Sequence, residues 1–540
     1  MTRRDTLAVV ALLAVLGVAS AARFCGIGFG LPLPYARPDE NRVARDATQI
    51  LRGNWRPASF AYPALLATTN AGVRWILHQF GSGASPQLRA DEVYPEAYWI
   101  SRLISATAGV ATVLVVFLIG RRLRSTFEGL LAALLLAVTH LHCRDSHFGV
   151  TDVLMTFCTT AVLWLLLRTE KWRSLRRFAL AGAAIGVAVA AKQPALFAFA
   201  PLLVAAFAPP ADEGAQQRRG GSRLARGTVA ALIAGACALA LFLLINPHAL
   251  LEPRRFLDDV LFEFQNKTAA RELLSERGWV THARFTLWHG LGAPCAIAAL
   301  VGLAVTCARG RRGDWIVLGF ALAYYVGMGS GSRTFARYMV PLTPIAALLA
   351  ARAIAATAAL APKRVEAATA LLLAALVASV SASRVVATDR LLVAQDTRLA
   401  AVEFLRREVR PDERVLWLGR YASPPTDRPD ERFVREDGAY LQSLLADGRD
   451  PDAALADAGF RYVVWADYFF ATQFDAPSEL TTRLAESLVE VKTFRPLADG
   501  VAKSDVAPLF DRRDMLYLPY AGFDGFERPG PFVHVFRRRD

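Results

Sequence analysis

The sequence predicts an α-helical polytopic membrane protein of about eleven transmembrane helices, followed by a small C-terminal α/β domain. Three observations lead there. Of 540 residues, 54% are hydrophobic and only 20% charged, and the mean hydropathy is +0.30, too apolar for a soluble chain of this size. Apolar runs long enough to cross about 30 Å of hydrocarbon recur up to residue 383, separated by short charged loops. Beyond that point the composition turns abruptly charged and rich in Asp, Arg and Pro.

The first run follows Arg3-Arg4 and continues to Leu31; its Ala19-Ser20-Ala21 also fits a signal-peptide cleavage site, and either reading sends the next segment outside. Further spans are expected at 99–120, 127–141, 150–167, 178–191, 194–208, 228–245, 285–307, 315–328, 338–356 and 365–380. The break from Ala191 to Pro194 reads either as a tight reversal or as a kink in one helix. With the N-terminus inside, the inner loops 121–124, 168–177, 218–226, 309–312 and 363–364 are all basic, as the positive-inside rule requires. The net charge of +14 is thus mostly topological. Its Lys and Arg form no single basic face, which argues against nucleic acid as a partner.

This topology predicts a multi-pass plasma-membrane protein with a membrane domain over 1–383 and an extracytoplasmic domain over 384–540. The membrane domain has long outer loops at 32–98 and 246–284, and long outer loops imply outer chemistry or outer binding. In the tail, 399–408 has helical spacing, and 414–418, 461–465 and 532–537 read as strands. The six cysteines lie in or beside the spans without metal-type spacing and read as buried, inert thiols. The stretch 209–227, rich in Gly, Arg and Gln, reads as a mobile loop.

Chemistry-bearing residues gather at the expected outer helix ends. Asp39-Glu40 follows Arg37-Pro38 and opens the amphipathic run 43–51; two carboxylates there either serve the helix dipole or act on a substrate. Tyr62-Pro63 follows, as an interfacial anchor or part of a cleft. Between two apolar stretches stand His140, His142, Arg144, Asp145, His147 and Asp152, polar groups that must face water or pair with one another. Asp152 serves as an N-cap, with Thr151 as rival, or as a working acid. Lys192 needs an interface or a counter-charge, since an uncompensated lysine in mid-membrane costs about 2.5–3.5 kcal/mol. Arg333 and Arg337-Tyr338 break the positive-inside trend, which an anionic ligand would explain.

In order and topology these motifs resemble the GT-C class of membrane glycosyltransferases, in particular glycosyltransferase family 39 with its protein O-mannosyltransferases and the aminoarabinose transferases. The residues that carry the resemblance are Asp39-Glu40, Tyr62-Pro63, Ser101-Arg102-Leu103, Asp152, the Lys192 break, and Arg337-Tyr338 with Pro341 and Pro344. Gln193 departs from the family pattern at that break.

The resemblance implies a polyprenyl-phosphate-linked sugar as donor, membrane lipids around it, an acceptor at the outer face and no nucleotide-sugar site. It carries the catalytic carboxylate onto Asp39, with Glu40 beside it and Asp152 assisting. Lys192, Arg337 and Tyr338 would bind the donor phosphate, and Arg144, His147, Tyr62 and Arg333 would line the cleft. No cofactor is implied, no metal box is evident, and metal dependence stays open. The rival readings are a transporter or lipid flippase, whose sites tend towards the midplane of inverted repeats not visible here, and a non-catalytic envelope assembly protein.

Overall fold

The structure, a computed structural model, describes residues 3–539 except 34, 81–94, 170–173, 209–219, 270–276, 420–429, 437, 470–477, 512–513 and 515–516. Most of the last part of the first long loop, most of the 209–227 stretch and parts of the 168–177 and 246–284 loops therefore lie outside the described residues. The chain divides into two compact units. One comprises Met1–Phe24, Asp46–Ser82 and Ile100–Val386; the other comprises Cys25–Arg45, Gly83–Trp99 and Ala387–Asp540. The acidic pair Asp39-Glu40 thus belongs to the same unit as the C-terminal tail.

The first unit is helical, and each apolar stretch read from the sequence contains helix. Among the described residues, five helices are long and apolar enough to cross a membrane: Asp5–Phe24, Pro95–Leu123, Leu224–Ile245, Ala336–Ala358 and Glu366–Glu408. The number is seven if each of two bent pairs is one span. These pairs are Thr126–Ala137 with His140–Ser146, bent by 60°, and Gly278–Leu291 with Ala293–Arg309, bent by 113°.

Glycine sets how closely the helices approach. A Cβ on Gly182 would lie 2.1 Å from the Ala234 carbonyl oxygen, and one on Gly186 would lie 2.3 Å from that of Ala238. Helix Leu175–Ala191 therefore lies backbone to backbone against helix Gly220–Ile245. Gly302 meets Leu349 in the same way. Lipid tails are as apolar as leucine, so close van der Waals contact rather than the hydrophobic effect holds helices together in a bilayer. The cysteines divide: Cys143, Cys158 and Cys295 are buried, whereas Cys25 and Cys307 are exposed on the protein surface, which corrects the expectation that all are buried.

In the second unit a five-stranded sheet has the order β2-β1-β3-β5-β4. The strands are β1 (Val415–Leu418), β2 (Phe433–Glu436), β3 (Tyr462–Asp467), β4 (Val489–Phe494) and β5 (Phe532–Arg537). β1 runs parallel to β2 and β3, and β5 runs antiparallel to β3 and β4. Both faces are covered. Leu416, Val463, Trp465 and Phe536 pack with Leu441, Leu455 and Leu484, while Val415, Trp417, Val464 and Val535 pack with Ala401 and Leu405 of helix Thr397–Glu408. A strand buried on both sides needs no polar alternation, which is why β1 and β3 read as continuous apolar runs.

Gly182→Val is expected to force helices Leu175–Ala191 and Gly220–Ile245 apart and to destabilise the protein by about 1–3 kcal/mol. Thermal unfolding of the purified protein checks this; an unchanged unfolding temperature would contradict the close packing.

Candidate active site

Pro194 explains where the site begins. It has no N–H, and its ring would collide with the carbonyl of Ala190, so helix Leu175–Ala191 cannot run on through it. Lys192 adopts an extended conformation (φ −162°, ψ 136°), and a short 3₁₀ helix, Gln193–Ala198, follows. That single extended residue turns the lysine side chain towards the start of helix Thr151–Leu166. Its Nζ lies 2.7 Å from Oδ1 of Asp152, with the side chains 13% and 2% exposed. Asp152 is not the helix cap: Val150 occupies that position, without a side-chain hydrogen bond. The counter-charge that Lys192 needs is therefore Asp152.

The pair has an aromatic wall. The Lys192 ammonium lies 5.6 Å from the centre of the Tyr338 ring, within cation–π range. Tyr338 sits in the 3₁₀ helix Ala336–Leu342, and the Tyr324 hydroxyl donates to its carbonyl at 2.9 Å. The neighbouring Arg337 is buried, its guanidinium 4.3 Å over the Phe335 ring. Arg333, in the preceding loop, is exposed. Beside Asp152, the buried Thr151 hydroxyl has no partner among the described residues. An ammonium offers three N–H donors and Asp152 accepts one, so the arrangement retains capacity for an anionic oxygen.

The residue after Lys192 is also tied. Gln193 Nε2 donates to the Phe60 carbonyl at 2.6 Å, while the Phe60 amide donates to Asp259 at 2.8 Å. Arg56 grips Glu252 through two nitrogens at 2.9 and 2.6 Å, which holds that carboxyl at about 2, well below its usual value. Arg255 adds bonds to the carbonyls of Pro57 and Ala58. Half-buried Tyr62 lies in the segment these groups clasp.

The His- and Arg-rich turn is buried throughout, so of the two outcomes the sequence left open it does not face water. Arg144 meets Asp145 at 3.0 Å, and His147 Nδ1 lies 2.9 Å from the Cys143 carbonyl. Arg23, a residue the sequence reading passed over, donates to the carbonyls of Leu136 and Ala137 and contacts His142 Nδ1 at 3.0 Å. It thereby caps helix Thr126–Ala137 at the 60° bend. Among the described residues no three His, Cys, Asp or Glu side chains gather around a metal position.

In the other unit, the acidic turn is built by buried arginines. Arg37 forms an ion pair with Asp514 at 2.7 Å, both side chains fully buried. Arg398, clamped by Asp396 at 2.8 Å, donates to the Tyr35 carbonyl at 3.1 Å. Two residues after Arg37, Asp39 takes a left-handed conformation, φ 71°, alone among non-glycine residues described. An N-cap residue is normally extended, so Asp39 is not an ordinary cap for helix Glu40–Leu51. Non-glycine residues held in this region cluster at functional sites. Glu40 is fully buried. Nothing in the local sequence marks Asp514 as the partner of Arg37.

Removing Asp152 should leave a buried ammonium uncompensated. Asp152→Ala is expected to lower stability by about 3–5 kcal/mol, and adding Lys192→Met should restore much of that loss. A double-mutant cycle read by thermal unfolding checks this; additive losses would contradict the pairing.

Residues 93–246, which include Asp152 and Lys192, match the family model described as dolichyl-phosphate-mannose-protein mannosyltransferase. No curated protein sequence matches the chain. Among solved structures, the oligosaccharyltransferase AglB from Archaeoglobus fulgidus, in complex with an inhibitory peptide and a dolichol-phosphate, is similar with a TM-score of 0.53 and 13% identity, covering 86% of this chain and 70% of that one. ArnT from Cupriavidus metallidurans, bound to undecaprenyl phosphate, is similar with a TM-score of 0.50 and 16% identity, covering 99% of this chain and 98% of that one. The fold is that of the GT-C membrane glycosyltransferases, and the enzyme class these matches support is glycosyltransferase.

Proposed function

We propose that this protein transfers a sugar from a polyprenyl-phosphate-linked donor to an acceptor lipid, glycan or protein at the outer face of the plasma membrane. The observation that carries the reading is the buried Asp152–Lys192 pair beside Tyr338, within the segment that matches the mannosyltransferase family model. A cation set between a carboxylate and an aromatic face suits a lipid phosphate. The polyprenyl phosphates bound by the two similar structures support the same donor class. In this reading the chain crosses the bilayer about eleven times, with the broken and shorter helices counted as crossings, and the sheet domain is extracytoplasmic.

The reaction is an inverting displacement. The acceptor oxygen attacks the anomeric carbon, and its proton passes to the Asp39 carboxylate. The bond from that carbon to the phosphate oxygen breaks on the opposite face. Its electron pair leaves with the polyprenyl phosphate, which gains one negative charge. Lys192 and Arg337 stabilise that charge electrostatically, and Tyr338 fixes the position of the ammonium. Asp152 acts through Lys192 as a positioning residue, and Glu40 supports the turn that presents Asp39. The assignment of Asp39 rests on the family resemblance and on its left-handed backbone.

Asp39→Asn is expected to reduce transfer by about 10²- to 10⁴-fold, the usual contribution of a general base, while donor binding stays at the native level. Transfer of labelled sugar in proteoliposomes, with donor binding measured in parallel, checks this; native turnover in the variant would remove Asp39 from the mechanism.

A further inference from the structure

The helices that carry the Asp152–Lys192 pair hold a different cationic feature at their opposite ends. There a cavity of about 540 Å³ is lined by Leu118, Arg121, Arg122, Trp164, Arg168 and Arg177. It gathers four guanidinium groups and, among the described residues, no carboxylate. Two nearby cations, unlike Arg121, Arg168 and Arg177, have a carboxylate partner among the described residues. Arg124, on the same helix end as Arg121, is paired with Asp314 at 2.7 Å, and Arg352 meets Glu128 at 3.3 Å.

The positive-inside rule explains basic residues in these loops, but not their convergence on one hollow. Like charges around a cavity repel, and a bound anion removes the repulsion. Stacking also holds these groups in place. The Arg168 guanidinium lies 4.7 Å over the Trp164 ring, and that of Arg121 lies 5.5 Å over Phe117. A stacked guanidinium is engaged through its face, so its in-plane N–H donors keep the fork geometry that fits phosphate. Arg177 donates to the Arg168 carbonyl, tying the two arginines to one wall.

The cavity falls within the usual range for small-molecule sites, about 300–1,000 Å³, which suits a headgroup better than a bare ion. Trp164 and Leu118 give it an apolar side, the place for the glycerol and acyl part of an amphiphile. Basic pockets between membrane helices bind acidic headgroups in this manner. We propose that this cavity binds the phosphate of an anionic membrane lipid. The site is separate from the one assigned to the donor phosphate, and it stands whether or not that reading holds.

The test uses the full-length protein in detergent, titrated with phosphatidylglycerol, with phosphatidylcholine and with inorganic phosphate, bound lipid being read by native mass spectrometry. Phosphatidylglycerol is expected to bind at least tenfold more tightly than phosphatidylcholine. Arg121→Gln and Arg168→Gln, made separately and compared only if they unfold at the native temperature, should each weaken it about fivefold. The exposed Arg364→Gln, a basic residue outside the cavity, should leave binding unchanged. Equal binding of the two lipids, or equal weakening by Arg168→Gln and Arg364→Gln, would overturn the proposal. Displacement of the lipid by inorganic phosphate at comparable concentration would also overturn it, since the site would then serve a soluble anion.

Discussion

A lysine at the end of an apolar helix needs an interface or a counter-charge, and the arrangement of the membrane unit around Lys192 follows from that constraint. Insertion of an uncompensated lysine costs about 2.5–3.5 kcal/mol, a large share of the stability of any domain. Pro194 breaks the helix so that Lys192 can extend, and helix Thr151–Leu166 brings Asp152 to 2.7 Å. The 3₁₀ helix Ala336–Leu342 supplies Tyr338. Three segments far apart in sequence therefore converge on one ammonium group. The glycines of helix Leu175–Ala191 set its position against helix Gly220–Ile245, and Lys192 follows directly at the end of that helix.

The second unit answers a comparable problem with the opposite sign. Asp39 and Glu40 are held in a turn whose geometry is set by Arg37 and Arg398, both buried and both paired with carboxylates from the C-terminal tail. Breaking one such pair costs about 3–5 kcal/mol, so the turn is tightly specified. This gives the tail a physical task that composition alone does not suggest: it supplies Asp514 to Arg37 and Arg398 to the Tyr35 carbonyl. The left-handed backbone at Asp39 persists because its surroundings over-determine it.

Much of the helical architecture is legible in the sequence, because hydropathy and helix length are local properties. The strands at 415–418, 462–467 and 532–537 are legible for the same reason, being short apolar runs buried on both faces. β2 and β4 are not: they flank the sheet, and the exposed side chains of β4 interrupt any apolar pattern. The Lys192 break was readable from Pro194, and the need for a counter-charge from the cost of burial. Which carboxylate answered it was not readable, since Asp152 lies 40 residues away. Arg23 and Asp514 escaped notice for the same reason. An arginine near the end of an apolar run reads as a topological charge until the carbonyls of Leu136 and Ala137 are seen beside it.

The most direct test of the central claim is binding of a sugar-free polyprenyl phosphate to the purified protein, native and Lys192→Met, at fixed ionic strength. If the ammonium held by Asp152 is the donor-phosphate ligand, the variant should bind at least tenfold more weakly, while an uncharged polyprenol binds both proteins alike. Equal affinity of the native protein and the variant for the phosphate would contradict the account.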